Sequence, residues 1–226
     1  MMANFEEVAK QSCEKLKADS TFAKAAEFNV VGLSQGGLLA RYMVEECEMP
    51  GKVRNIVTLG GPHMGVDKVP NCLSGFMCDV VNFIADAVIY TPLLQKHLAP
   101  AGYFRNVKNL NKYEKKSTFL PALNNDQDGD ASAEPRKQSF GDINAAMLVM
   151  FDADTVVYPK ESAWFQTLNT QGELMPLNAT KFYSEDALGL KTLNEAGKIS
   201  FESWPGNHLQ FTEADVTAKI VPFLKQ

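Results

Sequence analysis

The sequence predicts an α/β fold, a mostly parallel sheet flanked by helices, and three observations carry that expectation. Short apolar, partly β-branched runs recur at residues 28–31, 54–59 and 145–151, the form that buried strands take. Leu38, Leu39, Tyr42 and Met43 repeat with helical spacing between the first two runs. Glycines punctuate the boundaries: Gly32, Gly36 and Gly37 at the first, Gly60 and Gly61 before Pro62 at the second. Alternation of strand, helix and strand is the wiring of a parallel sheet.

The elements follow in order. Asn4 with Glu7 three residues later forms a helix start, and Phe5, Val8, Ala9 and Leu16 then fall near one face. Residues 28–31 are expected to form a buried strand, followed by a sharp turn and a helix. RNIVTL, residues 54–59, is the next strand. Residues 75–104 are apolar and helical in pattern, interrupted at Pro92 and Pro100. The polar stretch NNDQDGDASAEPRKQSFGD, residues 124–142, has the composition of a mobile surface loop. AAMLVMF returns to strand character at 145–151, and Lys198 to Glu202 is the expected last strand. Thr212 with Asp215 then starts a C-terminal helix carrying Val216, Ile220, Val221 and Leu224. There is no internal repeat, so one domain is expected over residues 1–226, with an inserted region at about 66–142.

Composition bounds the function classes. The chain has 226 residues, 45% hydrophobic and 22% charged, with a net charge of -5. That is ample for a sizeable core, and the acidic balance without a basic run argues against a nucleic-acid partner. The longest largely apolar stretch, VVNFIADAVIYTPLL, contains Asp86 and falls short of the ~18 to 20 apolar residues of a membrane span. The opening MMANFEEVAK is acidic and has no signal-peptide pattern. Four cysteines, at 13, 47, 72 and 78, are compatible with two disulfides.

Gly32-Leu33-Ser34-Gln35-Gly36 fits G-x-S-x-G, at the predicted join of strand and helix. In such a nucleophile elbow the serine occupies a strained turn, small flanking residues let backbone pass closely, and the helix N-terminus favours developing negative charge. A serine hydroxyl needs a base, and in this arrangement the chain order is serine, acid, histidine. Of the three histidines, His63 and His97 precede every late acid, whereas His208 follows the last expected strand. The acid belongs after the 145–151 strand, where FDAD offers Asp152 and Asp154 without choosing between them. The Gln35 N–H, next after the serine, is the expected oxyanion donor.

Beyond the elbow, GLSQGG, LGGPHMG, LPALNN, DTVV with PKESAWF, LGLKTL with AGK, and GNHLQ occur in an order and spacing that resemble the palmitoyl-protein thioesterase family. The similarity runs from about residue 10 to the C-terminus. It implies an α/β-hydrolase fold that removes long acyl chains from cysteine thioesters in the lysosome or secretory route. Ser34 is then the nucleophile, His208 the base and Asp154 the orienting acid. The implied partners are S-palmitoylated proteins and other fatty acyl thioesters, and no cofactor or metal is called for. The resemblance also pairs Cys13 with Cys47 and Cys72 with Cys78, and marks Asn178 in Asn178-Ala179-Thr180 as a glycosylation site. Met77, Phe83, Ile84, Val88 and Leu93 are candidates for lining the acyl groove.

One departure stands out. The family's first strands and an early loop carrying the second oxyanion donor precede the elbow, and the 33 residues before Ser34 have room for one helix and the elbow strand. The expectation is therefore a sheet lacking its N-terminal strands, with an apolar strand edge exposed. Two further readings follow: a general lipase or carboxylesterase, and a non-catalytic acyl-binding remnant.

Overall fold

The structure is a computed structural model that describes residues 4–71, 82 and 84–226. Helix α1 (Phe5–Ala18) starts as the sequence requires, with the Asn4 side chain accepting the Glu7 N–H at 2.7 Å. It buries Phe5, Ala9 and Cys13. Strand β1 (Glu27–Leu33) leads directly through Ser34 into α2 (Gly36–Glu45), and β2 (Lys52–Leu59) follows. Cys13 is bonded to Cys47, which ties α1 to the far end of α2. The second expected pair, Cys72 and Cys78, lies outside the described residues.

Between β2 and β3 (Ala145–Phe151) the chain makes a long excursion of short helices, among them Pro92–His97, Leu110–Lys116 and α3 (Ala133–Gly141). Pro92 begins its helix rather than breaking one, as suits a residue with no N–H to offer. The polar stretch at 124–142 is a correction to the sequence reading. It is not a mobile loop: α3 occupies its second half and buries Arg136 and Phe140. Arg136 is satisfied by Glu46, Asp130 and the Asn125 side chain, so the buried helix face there sets one paired charge beside one apolar residue, Phe140. That face gives no hydrophobic repeat for a sequence reading to find.

After β3 come a short antiparallel pair, β4 (Thr167–Leu168) and β5 (Leu174–Met175), and then β6 (Ile199–Trp204). Among the described residues the main sheet is four-stranded, ordered β1-β2-β3-β6, with every neighbouring pair parallel. Register sets Leu33 opposite Leu59, Leu59 opposite Val149 and Phe151 opposite Trp204. The carboxyl ends therefore line up along one edge, where open α/β sheets place their ligands.

Side chains alternate across this sheet as the pleat demands. Ile56, Ala146 and Leu148 face one layer with Ala40 and Val44 of α2. Val57, Met147 and Val149 face the other, against Ile220 and Phe223 from the C-terminal helical segment, residues 213–224. That segment starts with the expected capping box between Thr212 and Asp215. Central β3 is buried over its whole length. β1 departs from the expected buried strand: it is an edge strand, with Val31 and Leu33 more than two-fifths exposed. No helix among the described residues is long and apolar enough to cross a membrane.

Candidate active site

Ser34 sits at the join of β1 and α2 with φ of 52°, a left-handed conformation that a serine adopts only where the surroundings hold it. Its N–H donates to the Leu59 carbonyl at 2.8 Å, and its carbonyl accepts the Gly37 N–H at 2.8 Å. The glycines are needed unequally. A Cβ on Gly32 would lie 2.3 Å from the Gly36 carbonyl oxygen, and one on Gly37 3.0 Å from Gly61 Cα, whereas one on Gly36 would meet nothing.

His208 comes four residues after β6 and Asp154 three after β3, so the aligned strand ends deliver both to Ser34. His208 Nδ1 is 2.6 Å from Asp154 Oδ2 and Nε2 is 2.8 Å from Ser34 Oγ. With the Nδ1 proton donated to the carboxylate, Nε2 is left to accept the serine hydroxyl. Asp154 is buried, and its other oxygen accepts the N–H groups of Val156 and Val157 at 2.8 and 3.0 Å. Those bonds fix its carboxylate plane. Asp152, the alternative acid, is exposed and is engaged by Ser203 instead. The Gln35 N–H donates to no acceptor among the described residues.

The LGGPHMG segment contributes a residue the sequence reading missed. Gly60, at φ of 61°, lies so near the imidazole that a Cβ there would be 3.0 Å from His208 Cε1. Its doublet with Gly61 directly after a strand was the available signal. His63 of the same segment is fully buried, its Nε2 2.8 Å from Thr58 Oγ1 and its ring stacked on Phe165 at 4.5 Å. Burial, with Arg41 nearby, pushes its pKa well down and keeps it neutral. His63 is thus part of the floor beneath the elbow, and it does not reach Ser34 Oγ. Arg41, fully buried, pairs with Glu45 at 2.7 Å and donates to Asn124 and the Leu123 carbonyl, so LPALNN is tied to α2. His97 is the last residue of its own short helix, Pro92–His97.

A cavity of about 260 Å³ opens on Ser34, with Val66, Ile89, Leu98, Tyr103 and Phe104 among its walls. It is lined mostly by the region between β2 and β3, as the sequence suggested, but by other residues, with Val156 and Val157 added from beyond β3. Ile84, Val88 and Leu93 face outward, and Leu93 is 69% exposed. Ala85 and Ile89, joined by a hydrogen bond from the Ile89 N–H to the Ala85 carbonyl at 2.8 Å, line the cavity. Met77 and Phe83 lie outside the described residues. Asn178 is exposed on the surface.

A parallel sheet presenting serine, histidine and aspartate in hydrogen-bonded succession at its carboxyl edge defines a serine hydrolase of the α/β-hydrolase fold. Residues 1–208 match the family model described as palmitoyl protein thioesterase, and the chain belongs to that family. It is 32% identical over 223 residues to palmitoyl-protein thioesterase 1 of Caenorhabditis elegans, which spans 97% of this chain and 72% of the relative. Identity is 31% over 195 residues with palmitoyl-protein thioesterase 3 of Dictyostelium discoideum, covering 85% of this chain and 64% of that one. With lysosomal thioesterase PPT2-B of Xenopus laevis it is 30% over 201 residues, covering 87% and 68%.

Proposed function

We propose that the protein hydrolyses long-chain acyl thioesters of protein cysteines, and the observation that carries this is the apolar cavity opening onto the Ser34 hydroxyl. Ser34 attacks the acyl carbonyl while His208 takes its proton, and Asp154 stabilises the imidazolium that forms. The Gln35 N–H donates to the oxyanion, aided by the positive end of α2. The thiol then departs with the proton from His208, leaving an acyl-serine. Water, deprotonated by His208 in turn, releases the fatty acid. A thiolate, with a thiol pKa near ~8.5, needs less help from the acid than an alkoxide, so this relay suits a thioester. The region at about 66–142 supplies the acyl groove as an insertion in a single domain.

The test is hydrolysis of a palmitoyl thioester by the chain and by its Ser34→Ala variant, with circular dichroism on both. Serine-dependent turnover supports the proposal, and equal rates refute it. Matched oxygen esters run alongside decide between a thioesterase and a general lipase or carboxylesterase. An acyl ligand that binds without turnover, with Ser34 unlabelled by a fluorophosphonate, would instead identify a non-catalytic acyl-binding protein.

We further propose a lysosomal or secretory setting. Relatives named lysosomal thioesterases, the Cys13–Cys47 disulfide and the exposed Asn178 support it. A mass shift on glycosidase treatment of the protein made in a secretory host, abolished by Asn178→Gln, tests the glycan. A second disulfide between Cys72 and Cys78 belongs to the same proposal and is tested by peptide mapping without reduction.

A further inference from the structure

Tyr103 closes the 3-10 turn Ala99–Tyr103 and is 8% exposed, with its ring in the wall of the cavity that opens on Ser34. Two contacts hold the ring and backbone. Phe5 of α1 meets the ring edge-on at 5.7 Å between centroids, and the Tyr103 carbonyl accepts the Val66 N–H at 3.1 Å. Its hydroxyl donates to Gln35 Oε1 at 3.2 Å. Burial pushes the phenol up to about 12, so it stays a donor across the working pH range.

The Gln35 carbonyl is held by the Leu38 and Leu39 N–H groups at 3.1 and 3.3 Å, but its side chain and its N–H have little else to steady them. Gln35 precedes the first residue of α2, its side chain makes no capping bond, and it is exposed. Gly36 and Gly37 follow it, and the strained Ser34 precedes it. The Gly37 N–H holds the Ser34–Gln35 peptide from its carbonyl side, but the N–H side of that peptide has no partner among the described residues. An oxyanion donor works by being aimed before the charge develops, and an error of 10 to 20° in its direction is costly. A tether on the side chain of the same residue limits how far that N–H can swing.

We propose that Tyr103 is a positioning residue for catalysis: through its hydrogen bond to the Gln35 side chain it aims the Gln35 N–H at the oxyanion. This rests on the serine-hydrolase mechanism proposed above, in which the Gln35 N–H is the donor. Tyr103 thereby joins the groove wall to the reacting centre, and α1 reaches the site through Phe5.

A double-mutant cycle tests it, with Tyr103→Phe, Gln35→Met and the pair, each checked for an unchanged melting profile. Two rates are read: labelling of Ser34 by an alkyl fluorophosphonate, whose phosphoryl oxygen sits where the oxyanion would, and kcat and KM on a palmitoyl thioester. Tyr103→Phe keeps the ring on Phe5 and is expected to slow labelling and kcat by about tenfold, with KM within about twofold. Gln35→Met should lose a similar factor, and the double variant should lose no more than the worse single, because one bond is removed in all three. Losses that multiply, or a rise in KM with kcat unchanged, would overturn the proposal and leave Tyr103 as groove wall alone. A wild-type chain that labels without hydrolysing the thioester refutes the substrate assignment while the labelling cycle still decides about Tyr103. Absence of any labelling refutes the mechanism and this proposal together.

Discussion

The Cα hydrogen of Gly32 points at the carbonyl oxygen of Gly36, leaving a gap that a β-carbon would close to 2.3 Å. Backbone cannot yield as a side chain does, so Gly32→Ala must open the elbow. We expect that variant to lose Ser34 labelling and to destabilise the fold by on the order of 2–4 kcal/mol. Gly36→Ala meets open space at the first turn of α2. It should remain active within a few-fold and match or exceed wild-type stability, since alanine is the better helix former. Thermal melts with fluorophosphonate labelling check both, and equal damage from the two would contradict the asymmetry.

Asp154 divides its oxygens between His208 and two backbone N–H groups. Asp154→Asn keeps an oxygen for Val156 and Val157 but removes the charge and offers an amide toward Nδ1. The expected result is a folded protein with kcat lower by about 10³ to 10⁴, the magnitude typical of a wrong histidine tautomer. Asp152→Asn should cost little, because Asp152 bonds outward to Ser203. Comparing kcat for the two variants on one thioester decides which acid serves the relay.

Two carboxyls make stability depend on pH in an assignable direction. Burial pushes Asp67, with Asp86 near it, and Asp126 up to about 6. A carboxyl in the unfolded chain titrates near ~3.9, so between those values the folded state holds the extra proton. Each group therefore costs nothing below about pH 4 and subtracts stability as pH rises through 6. Asp126→Asn, which still accepts from Tyr113, should raise stability at pH 7.5 by on the order of 1–3 kcal/mol and change nothing near pH 4. A gain of equal size at both pH values would show that ionisation is not its cause. His63, held neutral, acts in the opposite sense, losing stability as pH falls below its unfolded value.

The Cys13–Cys47 bond closes a loop spanning 34 positions. By loop entropy that constraint is worth about 4 kcal/mol, and replacing both cysteines by serine should lower the melting temperature by about 5–15 °C. Hydrogen exchange should speed up first in α1, which the bond anchors to α2. Exchange that stays slow in α1 while the melting temperature falls would place the effect elsewhere.

Legibility in the sequence followed the kind of signal each element carries. β3 could be read to the residue because a central strand is buried on both faces and writes an unbroken apolar run, AAMLVMF. Asn4 and the pair Thr212 and Asp215 were readable because capping is local chemistry. β1 was placed correctly but its burial was not, since neighbours in the sheet decide that and no strand encodes its own neighbours. α3 was missed because Arg136 is buried by pairing. Within the site, Ser34 and His208 follow from motif and order, whereas the choice of Asp154 over Asp152 depends on which carboxylate the Val156 and Val157 amides capture. Gly60 and Tyr103 act through approach and tethering across the chain, which leave only faint traces in the order of residues.

The left-handed φ at Ser34 carries a thermodynamic cost of about 1 kcal/mol or more that the rest of the fold must absorb. The chain would be more stable with glycine there, because glycine adopts that geometry without strain, yet it would then lack the hydroxyl that the proposed mechanism uses. Ser34→Gly is thus expected to melt higher than the wild type while losing all serine-dependent turnover. The elbow works like a cocked spring, and selection for stability alone would remove the hydroxyl from the one place where the proposed mechanism needs it.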